Sequence, residues 1–210
     1  MKLVSAGNQQ VQHPWYAADG TITTGGTPQL VLARSAARSF LLLQNTSSTN
    51  LFFEFGSARA TCTISSGVVN SVTITNAGFN FTKPPIVRFL GGGNSGINPY
   101  LGLNQPNGVA PSNPGPLSGN AVATGIANLS GNSVSSITIT NGGSGYAIAP
   151  YVFIANSDLD PYGCAAPSAT VGMLLTPGGS FYVNGTTCTT DPIAVYGATT
   201  GQAFVCRWMD

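Results

Sequence analysis

Charged residues are scarce in this chain. Lys, Arg, Asp and Glu make up 6% of the 210 residues, and the formal net charge is +1, whereas about a quarter of the residues of an average soluble domain are charged. Proteins that bind nucleic acid usually carry a clustered basic face, and seven Lys and Arg residues cannot form one, so we expect no nucleic-acid partner. Because net charge near zero favours association, we expect a surface largely covered by other subunits, in preference to a monomer.

Long apolar runs are absent too. No run approaches the ~20 residues that a membrane helix needs, so we expect no membrane partner. The opening MKLVSAGNQQ has one Lys and no long apolar stretch, which predicts no secretion signal. The spacing of Cys62, Cys164, Cys188 and Cys206 fits no metal site. We expect buried free thiols, with a Cys188–Cys206 disulfide as the less favoured alternative.

Side chains for acid–base chemistry are few. Hydrolytic catalysis needs a base with paired carboxylates or a triad. His13 is the single histidine, and Asp158 and Asp160 are the one close carboxylate pair. These aspartates would suit Ca²⁺ together with backbone carbonyls, but the Pro-Tyr-Gly that follows favours a plain turn. We therefore expect no enzyme, no cofactor and no metal.

Helical periodicity is missing as well. No window of about 11 or more residues repeats apolar residues at i, i+3 and i+4, and 27 Gly and 14 Pro disfavour long helices. β-Branched and aromatic runs between Gly, Asn and Pro clusters predict an all-β fold. Four consecutive apolar residues at 40–43 predict a strand covered on both faces. Outside the repeats described next, strands are predicted at residues 29–33, 39–45, 51–55, 171–175, 180–183, 193–196 and 202–208.

One stretch occurs twice. Residues 136–154 (SITITNGGSGYAIAPYVFI) repeat residues 71–89 (SVTITNAGFNFTKPPIVRF) at an offset of 65 residues. Such self-similarity reveals the unit of construction, here a β-hairpin module at 58–90 and again at 121–155. Asn and Gly at the turn tolerate positive φ. A proline precedes the last strand of each module, where a missing N–H costs least.

Three segments need separate interpretation. Residues 1–28 are mostly polar around one aromatic group (HPWY), which predicts an extended arm that docks on another surface, with a frayed terminus as the alternative. Residues 91–120, rich in Gly, Pro and Asn, are either an arm that reaches a neighbouring subunit or a linker. The first repeat has Ala77 and Phe79-Asn80 where the second has Gly142 and Ser144-Gly145, so we expect its turn to differ in geometry.

The segments that flank the repeats carry a resemblance. ARSFLLLQNTSSTNLFFEFGSA (37–58) resembles the start of small β-sandwich proteins of tailed-phage virions, with an Arg, an apolar strand, QN before a Ser/Thr turn, an aromatic strand and FG. MLLTPGGSFYVNGTTCTTDPIAVYGATTGQAFVCRW (173–208) is similar to their second half, and the TITNGGSGY motif resembles repeats of phage structural proteins. The resemblance implies a discontinuous, jelly-roll-like β-sandwich of residues 29–57 and 170–210, with residues 58–169 inserted as two β-hairpin repeats.

The same resemblance implies a viral protein that is not an enzyme. We expect a bacteriophage capsid decoration or cement protein that stabilises the head by bridging capsomers. It would be made in the host cytoplasm and lie on the capsid surface of the virion. Its partners would be the major capsid protein and further copies of itself, in a homotrimer. The alternative is a head-fibre or tail-tip module that binds host glycan.

Aromatic side chains are the candidates for these contacts, since they are large and amphipathic. The interface candidates are Trp15, Tyr16, Phe79, Phe81, Tyr100, Tyr146 and Tyr162. Phe81 and Tyr146 are also expected to pack across the turns of their modules. In the glycan-binding alternative a platform would consist of Tyr100, Tyr146, Tyr151 and Tyr162, although such tyrosines are more often core or interface residues.

Overall fold

The protein consists almost entirely of antiparallel strands. A computed structural model describes residues 15–92, 121–156 and 160–210, and within these ranges it has no α-helix and one 3₁₀ turn at Gly185–Thr187. The all-β prediction is confirmed. The strands are β1 (Tyr16–Ala17), β2 (Gly20–Thr21), β3 (Pro28–Leu32), β4 (Phe40–Asn45), β5 (Leu51–Phe55), β6 (Arg59–Ser65), β7 (Val68–Asn76), β8 (Ile86–Leu90), β9 (Thr124–Ser130), β10 (Ser133–Asn141), β11 (Tyr151–Ala155), β12 (Met173–Leu175), β13 (Ser180–Asn184), β14 (Ile193–Gly197) and β15 (Ala203–Met209).

Two of the sheets form a β-sandwich. One has the order β1-β15-β4-β13, with β2 also paired to β15, and the other has the order β12-β5-β14-β3. With β1 and β2 counted as a single first strand, the eight strands of the sandwich are arranged 1-8-3-6 and 2-7-4-5, which is the order of a jelly roll. The chain leaves the sandwich after β5 and returns at β12, so the sandwich is discontinuous in sequence.

Strand β4 shows how the sandwich core is built. Leu41 and Leu43 are buried against the opposite sheet, whereas Phe40 and Leu42 point outward and are only half-buried. The expectation that residues 40–43 are covered on both faces is therefore wrong within one chain. Successive side chains of a strand alternate between its two faces, and only the inner face of this sheet meets the second sheet.

Residues 15–28 also differ from expectation. Tyr16 pairs with Trp208, and their rings stack with centroids 5.4 Å apart. Gly20 pairs with Phe204, and Ile22 is fully buried in the sandwich core. The described part of the predicted arm is thus the first jelly-roll strand, because the exposed edge of β15 offers backbone groups that β1 and β2 satisfy. Residues 1–14 of the predicted arm, with His13, lie outside the described residues.

A buried amide explains the QN of the sequence motif. Asn45 has no exposed surface. Its Nδ2 donates to the carbonyl oxygens of Thr49 and Leu175, both at 2.8 Å, and its Oδ1 accepts from the backbone N–H of Ser47 at 2.9 Å. The side chain therefore holds the β4–β5 turn and fastens it to β12. A buried amide whose hydrogen bonds are all made costs little, whereas its loss would leave carbonyls unpaired.

The inserted repeats form a second domain with its own core. Its four-stranded sheet has the order β7-β6-β11-β8, and the hairpin β9–β10 lies against β8 and β7. The third strand of each repeat therefore packs beside the first strand of the other repeat. In the pair β8–β11, Arg88 lies opposite Phe153, and these two positions are equivalent in the repeat. A pseudo-two-fold axis consequently passes between them.

Backbone hydrogen bonds between the repeats follow the same symmetry. The N–H of Phe81 donates to the carbonyl of Asn132 at 2.9 Å, and the N–H of the equivalent Tyr146 donates to that of Gly67 at 3.1 Å. Two more bonds are exchanged in this way, from Val69 N–H to Gly142 O and from Val134 N–H to Ala77 O, at 2.8 and 2.9 Å. Each hairpin tip is thus held by the loop of the other repeat.

The motif asparagines play the same part in both repeats. Asn76 Oδ1 accepts from the N–H of Gly78 at 2.9 Å, and Asn141 Oδ1 accepts from the N–H of Gly143 at 2.8 Å. Both glycines have positive φ, of 61° and 69°. An Asn side chain that bonds the backbone two residues on favours such a turn, so the TITN-x-G motif encodes the turn itself.

The expected difference between the two turns is not observed. Asn80 of the first repeat has a φ of 61°, close to the 75° of its equivalent Gly145. Asn is among the few residues other than Gly that tolerate the left-handed region. The substitution of Asn for Gly therefore keeps the backbone path, and the prediction of a different geometry is wrong.

The glycine turn of the second repeat gives a direct test. A Cβ on Gly143 would lie 2.6 Å from Ala121 O and 2.7 Å from Ala123 N, whereas a Cβ on Gly131, whose φ is 60°, would meet nothing within 4 Å. The left-handed backbone costs Ala about 1–2 kcal/mol at either site, and overpacking adds about 1–3 kcal/mol at Gly143 alone. We expect Gly143→Ala to lower the free energy of unfolding in urea clearly more than Gly131→Ala. Equal losses would contradict the packing described for this turn.

Candidate functional site: the cleft between the sandwich and the repeat domain

The two domains are joined by short backbone pairings. The N–H of Ala165 donates to Gly56 O at 2.9 Å. Phe79 and Cys164 exchange two backbone bonds, at 2.9 and 3.0 Å. The segment that returns from the repeat domain therefore lies against both domains, and it fixes how β5 passes into β6.

A cavity of about 270 Å³ lies beside this crossing. On the repeat-domain side it is lined by Tyr151 and Phe153, which lie two residues apart on β11 and hence on one face of the strand. On the sandwich side it is lined by Arg34, Ser57 and Asp191. Ligand sites occur preferentially at such domain boundaries and combine an apolar wall with a few polar groups.

Charges in the cleft are balanced. Arg59, at the start of β6, lines the cavity and forms an ion pair with Glu54 of β5. Glu54 is buried on the outer face of its sheet, next to the repeat domain. The guanidinium of Arg59 contacts its carboxylate and offsets the cost of burying it. Arg34 and Asp191 line the cavity together with Arg59, and Glu54 compensates the charge of Arg59 from outside the lining.

Two polar atoms of the lining have no hydrogen-bond partner among the described residues. They are Ser57 Oγ and Asn156 Oδ1, both of which are buried. The Nδ2 of Asn156 donates to Gly163 O, which fixes the orientation of the amide. Buried polar atoms in native proteins are normally paired, so two unpaired atoms on residues of the cavity lining are exceptional.

Arg38 positions the sandwich side of the cleft. Its guanidinium donates to the carbonyls of Thr189 at 3.1 Å, Asp191 at 2.7 Å and Ala33 at 2.6 Å, and the side chain is buried. Burial lowers the pKa of Arg38, yet arginine remains charged in proteins. The side chain ties the loop before β14 to the end of β3, so it holds Asp191 in the wall of the cavity that Arg34 also lines.

The interface candidates fall into two groups. Trp15, Tyr16 and Tyr162 are exposed, and Phe79 is half-buried. Phe81 and Tyr146 are buried in the core of the repeat domain, which confirms their packing across the turns. The prediction that these two side chains form surface contacts is wrong, because their rings fill the core of the repeat domain. Tyr100 lies outside the described residues.

The tyrosine platform is not assembled as expected, since Tyr146 is buried. Of its members, Tyr151 lines the cleft. Sequence reasoning missed Tyr182 on β13, which is 66% exposed, and Phe153 on β11. Period-two alternation would have found Tyr182, because its neighbours Phe181 and Val183 pack on the sandwich core.

The aspartate at 160 is part of a turn. Its Oδ2 accepts from the N–H groups of Thr82 at 2.8 Å and Lys83 at 3.0 Å. Over the described ranges no group of three or more His, Cys, Asp or Glu side chains is placed to hold a metal. Asp158, the other member of the pair, lies outside those ranges. The chain turns at Pro161 and Tyr162, as the sequence favoured, and Asp160 ties this turn to the loop before β8.

All four cysteines are free thiols, as expected. Burial raises the pKa of Cys206 to about 12 and raises the pKa of Cys164 well above its usual range. The pKa values of Cys62 and Cys188 are raised by burial as well. Since the thiolate is the reactive form, buried thiols with raised pKa values are inert, and none of the four is a candidate nucleophile.

We expect Arg38→Met to lower the free energy of unfolding by about 3 kcal/mol, because three carbonyls lose a charged donor. The control is Arg88→Met on the exposed face of β8, which should change stability by less than about 0.5 kcal/mol. Denaturant unfolding of both variants measures the difference. If both arginines can be removed at the same small cost, Arg38 does not hold this loop.

The thiols give a second test. In the folded protein at pH 8, a maleimide should label Cys188 first, because it is the one cysteine that is not fully buried. Cys164 and Cys206 should stay unlabelled until urea unfolds the chain, since burial keeps them protonated and out of reach. Peptide mapping by mass spectrometry reports the order. Rapid labelling of Cys164 in the native state would contradict the burial described here.

In the described part of the chain, no helix has the length and apolar character needed to cross a bilayer. Comparison with known proteins finds no match among family models, curated proteins or solved structures.

Proposed function

We propose that this chain is a structural protein of a tailed-phage virion, a capsid decoration or cement protein that bridges capsomers as a homotrimer. The observation that carries the proposal is the open apolar outer face of the sheet β1-β15-β4-β13. The jelly roll supports it by analogy, because viral capsid and lectin domains use this architecture, although a fold alone does not decide a function.

The outer face of this sheet, called here the outer sheet face, runs across three neighbouring strands. Register places Tyr182 beside Leu42, and Phe40 beside Met209. Trp15 packs edge-on against Phe40 with ring centroids 4.9 Å apart, and it remains 61% exposed. Monomeric soluble proteins rarely expose a continuous apolar patch of more than a few hundred Å².

The charges near this face are neutralised within the chain. Arg207 lies next to Leu42 in the register and forms an ion pair with Asp19. No net charge is therefore left to repel a second copy. Burial of apolar surface at ~25 cal/mol per Å² supplies the drive for association, against a cost of about 4–15 kcal/mol for lost rotational and translational freedom.

A cyclic trimer requires two different patches that fit each other. The second patch is a row on the outer face of the other sheet, where Leu174, Phe52 and Tyr196 lie side by side. Phe52 and Tyr196 contact edge-on at 6.3 Å. Contact of one such row with the outer sheet face of the next subunit closes a ring if it includes a three-fold rotation, and without that rotation it would give an open filament. The inserted repeat domain then projects from the ring and contacts the capsid protein.

We expect Tyr182→Asp to break the trimer, because association would bury an unpaired carboxylate at a cost that weakens it more than tenfold. Ala198→Asp, in the exposed turn before β15, is the matched control and should leave the trimer intact. Native mass spectrometry and cosedimentation with empty shells measure both variants.

Because the contact with shells is proposed to rest on apolar burial, binding of the wild-type chain to shells should change little up to about 1 M NaCl.

A wild-type chain that stays monomeric and does not bind shells would overturn the proposal, as would release from shells by salt.

The cleft favours a second candidate function, a head-fibre or tail-tip module that recognises host glycan, because the cleft combines aromatic and polar side chains at a domain boundary. Binding to cell-surface glycans without binding to shells would support that candidate.

A further inference from the structure

We propose that the cleft between the sandwich and the repeat domain binds a neutral saccharide of one or two rings. The inference rests on the walls, the unpartnered polar atoms and the charge balance of the cleft. It does not depend on whether the chain coats capsids, since the outer sheet face and the cleft are formed by different residues.

The size and walls of the cleft suit a sugar ring. Its volume of about 270 Å³ lies just below the ~300–1,000 Å³ of sites for drug-sized ligands, which leaves room for a small ligand only. Tyr151 and Phe153 form one wall and keep 55% and 40% of their surface exposed. Aromatic rings that remain open in a cavity offer an apolar platform, and the C–H face of a pyranose is the matching surface.

The polar atoms of the cleft match hydroxyl groups. Asn156 Oδ1 is an amide oxygen and accepts hydrogen bonds only. The bond from Nδ2 to Gly163 O fixes the amide so that this oxygen is the unpaired atom. Ser57 Oγ can donate and accept. Both atoms lack a partner among the described residues. Both atoms lie beneath the accessible surface of the lining, so a ligand with neighbouring hydroxyls would satisfy them once the Ser57 and Asn156 side chains shift toward it.

Charge balance selects a neutral ligand over an anionic one. Arg59 is paired with Glu54, and the lining contains Asp191 as well as Arg34. A phosphate or nucleotide site would carry an excess of cationic groups. Guanidinium and carboxylate groups that are already balanced can still exchange hydrogen bonds with sugar hydroxyls.

The probes are glucose, galactose, mannose and N-acetylglucosamine at millimolar concentration, with inorganic phosphate as the charged comparison. Saturation-transfer NMR on the full chain detects binding, and titration gives the dissociation constant. We expect transfer to at least one sugar and no effect of phosphate. Tyr151→Ala should weaken sugar binding about tenfold, because it removes half of the aromatic wall.

Ile126→Ala is the matched control, because Ile126 is similarly exposed but lies on β9 of the repeat domain and does not line the cleft. It should leave sugar binding unchanged. Tyr151 and Ile126 are both exposed, so neither variant should alter the thermal midpoint. Asn156→Ala should weaken binding in the same direction as Tyr151→Ala.

The proposal is overturned if no sugar receives transfer, if phosphate binds in place of sugars, or if Tyr151→Ala and Ile126→Ala weaken binding equally. None of these outcomes bears on the binding of the chain to empty shells, so failure of the saccharide site and failure of the decoration proposal can be told apart.

Discussion

The pairing of β6 with β11, where Ala60 lies opposite Val152, is the contact on which the rest of the structure depends. These are the first and last strands of the inserted domain, so their pairing brings the entry and exit of the insertion together. The sandwich needs this closeness, because β5 and β12, where the chain leaves and returns, are themselves neighbours with Leu51 opposite Leu175. An insertion with distant ends would pull these two strands apart.

The exchange of third strands between the repeats produces that closeness. If each repeat kept its own third strand, β6 would not lie beside β11. Because β11 belongs to the second repeat and packs on the first, its outer face reaches the crossing from β5 to β6. Tyr151 and Phe153 therefore face Ser57 and Arg59 across the cleft. The cleft is thus a consequence of how a repeated unit is inserted into a split sandwich.

Most strands could be predicted from the sequence, because alternation and turn residues are local signals. The predicted strand 51–55 coincides with β5, and the sandwich strands from β3 onward agree to within a few residues, whereas β1 and β2 were predicted as part of an arm. The repeat was visible for the same reason. The exchange of third strands could not be predicted. An offset of 65 residues shows which positions of the two repeats are equivalent, but it does not show which strands pair with each other. Phe81 and Tyr146 were predicted to pack across the turns, but their complete burial between the two repeats follows from that exchange.

The cleft could not be predicted, since Arg34, Ser57 and Asp191 are far apart in sequence and meet only through Arg38 and the junction. The edge of the sandwich, by contrast, can be argued from local features. Exposed edge strands are usually protected by proline, charge or short length. Strand β3 begins with Pro28, β12 has three residues, and β1 and β2 have two each.

Strand β13 (SFYVN) is the edge that lacks all three protections. It is five residues long and carries no charge, and it bears Tyr182 on its outer side. In a chain with so few charged residues, an unprotected edge next to an apolar face would lead to uncontrolled pairing unless a specific partner covers it. A second copy bound at the outer sheet face would cover both. The unprotected edge of β13 and the apolar outer sheet face thus lie side by side, and the low charge of the chain favours association. Together these features are the strongest argument for self-association.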